Sequence, residues 1–198
     1  MSNSNNQPTI ILIGPMSAGK STVGQLLSEK LSISRHSVDE FRWDYYAEIG
    51  YDKDTASAIG KAEGMAGLLR YWKPFEAYAV ERMLADHSHC VIDFGAGHSV
   101  YEDEALFARV HQALAPYPYV ILLLPSPDLE ESIKIVNERF VQGAEAEGET
   151  ISDEVLMINA HFVKHPSNQK LAKLIVYTNG KTPEETCDEI VSAITKSA

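Results

Sequence analysis

The chain has 198 residues, with 17 Lys and Arg against 28 Asp and Glu and a formal net charge of -11. That acidity disfavours broad contact with nucleic acid or an anionic membrane, and no apolar run approaches the ~20 residues of a membrane span. At 44% hydrophobic and 23% charged, the composition fits a single globular domain, residues 1–198, with a substantial core.

Residues 1–7 are polar, lack the basic start and apolar middle of a signal peptide, and predict a frayed tail. Thr9 to Ile13 is a short apolar run with β-branched residues and predicts a buried strand. It leads into Gly14-Pro15-Met16-Ser17-Ala18-Gly19-Lys20-Ser21-Thr22, which fits G-x-x-x-x-G-K-[ST]. In that pattern the glycines let backbone N–H groups curl inward around phosphate oxygens. Lys20 adds a mobile positive charge, and the Ser21 hydroxyl is placed for Mg²⁺. Val23, Leu26, Leu27 and Leu31 then recur at helical spacing, so the loop lies at a helix N-terminus whose dipole favours anions. A nucleotide such as ATP is the expected ligand.

Ile33 to Val38 predicts a second strand ending at Asp39, and Glu40 to Tyr46 starts a helix. Thr55 to Tyr71 has helical composition weakened by Gly60, Gly64 and Gly67, and Pro74 is expected to restart a helix running to about Asp86. Cys90 to Phe94 predicts a third strand, followed by the glycine loop Gly95-Ala96-Gly97-His98-Ser99. A helix over Glu102 to Leu114, a strand over Tyr119 to Leu124 and an amphipathic helix over Asp128 to Val141 come next. Gly143 to Thr150 is acidic and Gly-punctuated and reads as a mobile, lid-like loop within 141–151. Ser152 caps a helix to about Val163, Leu174 to Tyr177 is a fifth strand, and Thr182-Pro183-Glu184-Glu185 is a capping box opening the last helix. Five strands alternating with helices predict a three-layer α/β/α fold around a parallel sheet, with ligands at the strands' carboxyl ends. Cys90 and Cys187 form no disulfide framework and fit a reducing, cytoplasmic setting.

Three strand ends carry chemistry. Asp39 fits either a helix N-cap or a base that accepts a proton from a hydroxyl. Asp93 fits either a hydrogen-bonded structural carboxylate or a holder of Mg²⁺ water, with the Ser21 hydroxyl as a possible partner. The aromatic residues Phe41, Trp43, Tyr45, Tyr46, Tyr71, Trp72 and Phe75 fit core packing or a pocket wall. His98, His161 and His165 are read as non-ligands.

The run from Ile11 to Gly24 closely resembles the opening of the shikimate kinase family of P-loop small-molecule kinases. The family's Asp-x-Asp at the second strand end falls on Ser37 and Asp39, implying that Asp39 binds substrate hydroxyls and acts as base while the first position is unfilled. Its substrate-lining glycine triplet matches Gly95-Ala96-Gly97, its Phe-Arg pair falls on Phe75-Glu76, and a second carboxylate-binding Arg falls on Lys164. The adenine-stacking Arg falls next to or on Arg139, the adenine loop resembles Thr178-Asn179-Gly180-Lys181-Thr182-Pro183, and the lid Arg has no counterpart. Glu76 in place of Arg disfavours a carboxylate acceptor and suits a polyol or amine, unless it is only a surface helix residue.

The resulting expectation is a monomeric or homodimeric kinase that uses ATP and Mg²⁺ to phosphorylate a hydroxyl of a small molecule other than shikimate. Lys20 and Asp39 would do the chemistry, with Arg139 and Lys164 closing from the lid side. A nucleoside or nucleotide kinase, and a slow nucleotide-binding ATPase module, are the rival readings.

Overall fold

A computed structural model describes residues 7–197. Its elements run β1 (Ile10–Ile13), α1 (Lys20–Leu31), β2 (Arg35–Ser37), α2 (Val38–Glu48), α3 (Lys53–Asp86) and β3 (Val91–Asp93). A 3₁₀ turn (Ala96–Ser99) is followed by α4 (Glu104–Leu114), β4 (Tyr119–Leu124), α5 (Leu129–Ala146), α6 (Asp153–Lys164), α7 (Pro166–Leu171), β5 (Leu174–Tyr177) and α8 (Pro183–Ser197). The five strands form one sheet in the order β2-β3-β1-β4-β5, and every pairing is parallel.

Strand periodicity explains the three layers. The side chains of β1 alternate: Ile11 and Ile13 join Val80, Met83 and Leu114 on one face, while Ile10 and Leu12 join Leu27, Ile190 and Ile194 on the other. All four β1 residues are fully buried, each contributing roughly 1.5–3 kcal/mol by transfer. The predicted capping box of α8 is present: Glu185 N–H donates to Thr182 Oγ1 at 3.2 Å, and Thr182 N–H to Glu185 Oε2 at 2.8 Å.

The structure departs from the sequence expectations at several places. The second strand is shorter than Ile33–Val38, and Asp39 is the second residue of α2 while Ser37 holds the N-cap position. Asp39 is therefore not the cap. Pro74 does not restart a helix; it lies inside α3, whose break falls at Gly64 (φ 66°, ψ -161°). The break frees the Met65 N–H, and Glu154 Oε1 from α6 accepts it at 3.1 Å. The lid-like loop is mostly absent, because α5 continues to Ala146 and ends in a turn with Gly148 at φ 78°. Two good helix formers, Glu145 and Ala146, extend the helix past Gly143. Gln7, assigned to the frayed tail, donates from Nε2 to Leu31 O at 3.1 Å, and residues 1–6 of that tail lie outside the described residues. The helix α7 had no counterpart in the sequence reading.

The Gly64 dihedrals lie in a region that essentially only glycine occupies. Gly64→Ala is expected to destabilise the fold by about 1–3 kcal/mol, read as a lower midpoint in a thermal melt. An unchanged midpoint would show that the break relaxes without strain.

Candidate active site

The phosphate-binding loop leaves the buried end of β1 and turns into α1 through Ser17 (φ 58°) and Gly19 (φ 94°). Gly19 provides no side-chain cap, and the first turn of α1 contains no acidic residue. The N–H groups and positive dipole end are thus left for an anion. Lys20 is buried, and its Nζ donates to Gly14 O at 2.9 Å and Pro15 O at 2.7 Å. Burial lowers its pKa to about 8, partly offset by Asp39 and Asp93. Ser21 and Thr22 are exposed beside it. The far side of the loop is clamped by Asn159 of α6, whose Oδ1 accepts from Met16 N–H at 2.9 Å. The Asn159 Nδ2 donates to Asn137 Oδ1 at 3.0 Å.

Asp93 lies at the carboxyl end of β3, in register with Leu12 and Ser37. It is 2% exposed. Its Oδ2 accepts from Arg35 Nη2 at 2.7 Å, so Arg35 is its partner rather than the Ser21 hydroxyl, and Oδ1 has no protein partner.

A cleft of about 240 Å³ opens beside Met16 of the loop. Its polar side is Asp39, Arg42, Glu76 and Gly95 to His98, and its apolar side is Met65, Leu69, Trp72, Val155, Ile158 and Phe162. Asp39 is half-exposed, with Arg42 Nη1 3.4 Å from Oδ1. Glu76 is buried and paired with Lys73 Nζ at 2.7 Å, and Lys73 also donates to Gly97 O at 3.0 Å. Two close approaches explain the glycines: a Cβ on Gly95 would sit 2.5 Å from Asp39 Oδ1, and one on Gly97 would sit 2.4 Å from Glu76 Oε1. Burial keeps the pKa of His98 low, and its ring meets Tyr46 Oη at 3.3 Å.

A second cavity, about 280 Å³, lies on the other flank of the loop and is lined by Ala18, Gly19, Thr22, Arg139, Thr178 and Lys181. Asn179 is outside that lining, and its Nδ2 donates to Glu131 Oε1 at 3.3 Å.

The two cavities gather most of the residues singled out from the sequence, with exceptions. Lys164 is half-exposed, pairs with Glu130 at 2.7 Å and does not line the cleft beside Met16. Glu76 is no surface residue, and its charge is matched by Lys73. Of the aromatic cluster only Trp72 lines the cleft, while Tyr45 and Tyr46 are core. Arg35, Arg42, Lys73 and Asn159 were missed. The i, i+3 spacing of Lys73 and Glu76 was a readable signal of an ion pair; Asn159 carried none.

A phosphate loop heading α1, carboxylates at the next strand ends and a cleft between them define a P-loop small-molecule kinase. The sequence profile described as Shikimate kinase matches residues 16–195, and the chain belongs to that family. It is an ATP-dependent kinase that phosphorylates a hydroxyl group. The shikimate kinase of Streptomyces coelicolor is 29% identical over 195 residues, covering 94% of this chain and 95% of that protein. The shikimate kinase of a Marinomonas strain is 25% identical over 188 residues, covering 94% and 92%. A shikimate kinase from Acinetobacter baumannii, solved in complex with shikimate, superposes with a TM-score of 0.65 at 20% identity over 97% of this chain and 95% of that one. A gluconokinase from Sinorhizobium meliloti gives 0.60 at 13% identity over 96% and 93%. These two likenesses show a common fold.

The lowered pKa of Lys20 has a pH signature. Between about 8 and the usual 10.5 the folded, ligand-free protein binds fewer protons than the unfolded chain, so this group adds stability as pH rises through that window. Nucleotide binding acts oppositely, because the phosphates need the cation. ATP affinity by calorimetry is expected to fall up to about tenfold per pH unit above pH 8. Lys20→Ala should bind ATP weakly, with no such step. A wild-type affinity that stays flat to pH 9.5 would remove Lys20 from the phosphate site.

Proposed function

We propose that this chain transfers the γ-phosphoryl group of ATP to a hydroxyl of a small molecule seated in the Asp39–Glu76–Gly97 cleft. The observation that carries the reading is the opening of this cleft against Met16 of the phosphate loop, with Asp39 on its polar wall. In-line transfer depends on positioning and charge neutralisation. The loop amides from Ser17 to Thr22 and the Lys20 ammonium hold the phosphates. Arg139, Thr178 and Lys181 line the space for the nucleotide base. Asp39 accepts the proton of the attacking hydroxyl.

The residues also suit a divalent cation. Asp93 Oδ1 is a buried carboxylate oxygen without a protein partner, and with the Ser21 hydroxyl it offers the oxygen ligands Mg²⁺ prefers. When bound, Mg²⁺ neutralises charge on the phosphate oxygens. Ser37, at the family's other acidic position, has no carboxylate to share that task.

The acceptor reading rests on two features. Lys73 is committed to Glu76 and Gly97 O, which leaves Arg42 as the cation lining the cleft. The opposite wall is apolar. Both favour a compact hydroxylated molecule with an apolar face, its hydroxyls directed at Asp39 and Glu76. The repulsion expected between Glu76 and a carboxylate is reduced by Lys73, so the preference against shikimate is one of degree. We further infer a cytoplasmic protein from its two free, buried thiols. Among the described residues no helix is long and apolar enough to cross a membrane.

The test is ADP release with a panel of polyols, hydroxy acids including shikimate, and nucleosides. Turnover is expected to require an acceptor, and shikimate to be slower than an uncharged polyol. ATP hydrolysis at one rate whatever is added would support a slow ATPase module instead. Asp39→Asn should lower turnover about 10²–10⁴-fold with ATP affinity nearly kept. A variant with full turnover would exclude Asp39 as base.

A further inference from the structure

On the side of α6 away from the phosphate loop lie three groups that the kinase reading does not use. His161 and His165 are one helical turn apart, at i and i+4, with ring centroids 5.1 Å apart. Glu102 comes from the segment between the 3₁₀ turn and α4, and its Oε1 is 2.8 Å from His161 Nε2. One ligand atom from each residue lies within 4.8 Å of the others. We propose that Glu102, His161 and His165 form a binding site for a divalent transition metal of the Zn²⁺ class, which fastens the end of α6 to the segment entering α4.

Two imidazoles and one carboxylate are a donor set that Zn²⁺ accepts and Mg²⁺ does not favour. Tetrahedral zinc with bonds near 2.1 Å sets its donors roughly 3.4 Å apart. The three groups therefore need only small side-chain rotations. His161 and Glu102 are about half-exposed, so the ion has access from solvent and the side chains have room to turn. The metal takes the place of the proton between His161 Nε2 and Glu102 Oε1, and the neutral ring then carries its proton on Nδ1. At His165, Nδ1 accepts a long bond from Ser167 N–H at 3.3 Å, and coordination gives that bond up.

The surrounding charges permit a dication. Lys73 faces the cluster but is paired with Glu76. Lys170 also acts on His165, from a position over the Phe107 ring. Three protein ligands leave a fourth position for water; Glu102 and His161, but not His165, also line a cavity of about 400 Å³ with Leu69, Phe162 and the cations Arg70 and Lys73. Phe162 and Leu69 also wall the acceptor cleft.

Protein freed of metal by chelation is titrated with Zn²⁺ in excess Mg²⁺, by calorimetry and thermal melt. One equivalent should bind and raise the melting midpoint. His161→Ala and His165→Asn should each weaken Zn²⁺ binding at least tenfold, and the asparagine keeps an acceptor for the Ser167 N–H. Glu102→Gln, which retains a hydrogen bond to His161, should weaken it too and serves as the second probe if His161→Ala does not fold. Co²⁺ in place of Zn²⁺ should give tetrahedral d–d absorption in the wild type alone. No stoichiometric binding, or binding that survives either histidine substitution, overturns the site. Each readout is separate from phosphoryl transfer, so a failure here leaves the kinase reading standing.

Discussion

Five parallel strands leave one edge of the sheet where every carboxyl end opens, and each feature of this site follows from that constraint. The phosphate loop caps β1, Asp39 follows β2 by two residues, and Asp93 closes β3, the strand between them. Because β1 and β3 pair in register from Ile10↔Val91 to Leu12↔Asp93, the loop and Asp93 emerge side by side. The apolar side chains of β1 anchor both faces of this arrangement, so the loop rises from a fully buried strand.

An acidic chain that binds a polyanion must manage its own carboxylates, and here they are matched one by one. Asp93 meets Arg35, Glu76 meets Lys73 and Asp39 meets Arg42. The Asp39–Arg42 contact is half-exposed and 3.4 Å long, and the two more buried pairs are 2.7 Å. Buried pairs cost desolvation and are weak evidence of stability, so their presence at a ligand edge is better read as positioning. Lys20 stays apart from these pairs, its ammonium held by carbonyl oxygens that a phosphate can replace.

The fold and the nucleotide half of the site were legible because their signals are local. The order of apolar runs gave the sheet, and the Gly14 to Thr22 spacing gave the loop. The acceptor half was less legible because its contacts cross long stretches of chain. Asn159 reaches Met16 across 143 positions, and Arg35 reaches Asp93 across 58. Glu76 lines the cleft as the resemblance implies, but its ion pair with Lys73, three residues earlier on the same helical face, was not read from the sequence. Composition misled at Gly143, which was absorbed into a helix, whereas of the three glycines expected to weaken α3 it is Gly64 that breaks it. Composition alone does not distinguish a glycine tolerated in a helix from one that must leave it.

The helix α6 has attachments in three directions. Asn159 grips the phosphate loop, Ile158 and Phe162 wall the acceptor cleft, and Glu154 receives the Met65 N–H at the break in α3. A rigid rod fixed at three points transmits displacement among them. Under the proposed reading, a nucleotide that displaced Met16 would act through Asn159 on the helix whose Ile158 and Phe162 wall the cleft. By thermodynamic reciprocity, whatever factor one substrate adds to the other's affinity is returned in equal measure. With the lid loop reduced to a short turn, α6 is the element that joins the phosphate loop, the cleft wall and the break in α3.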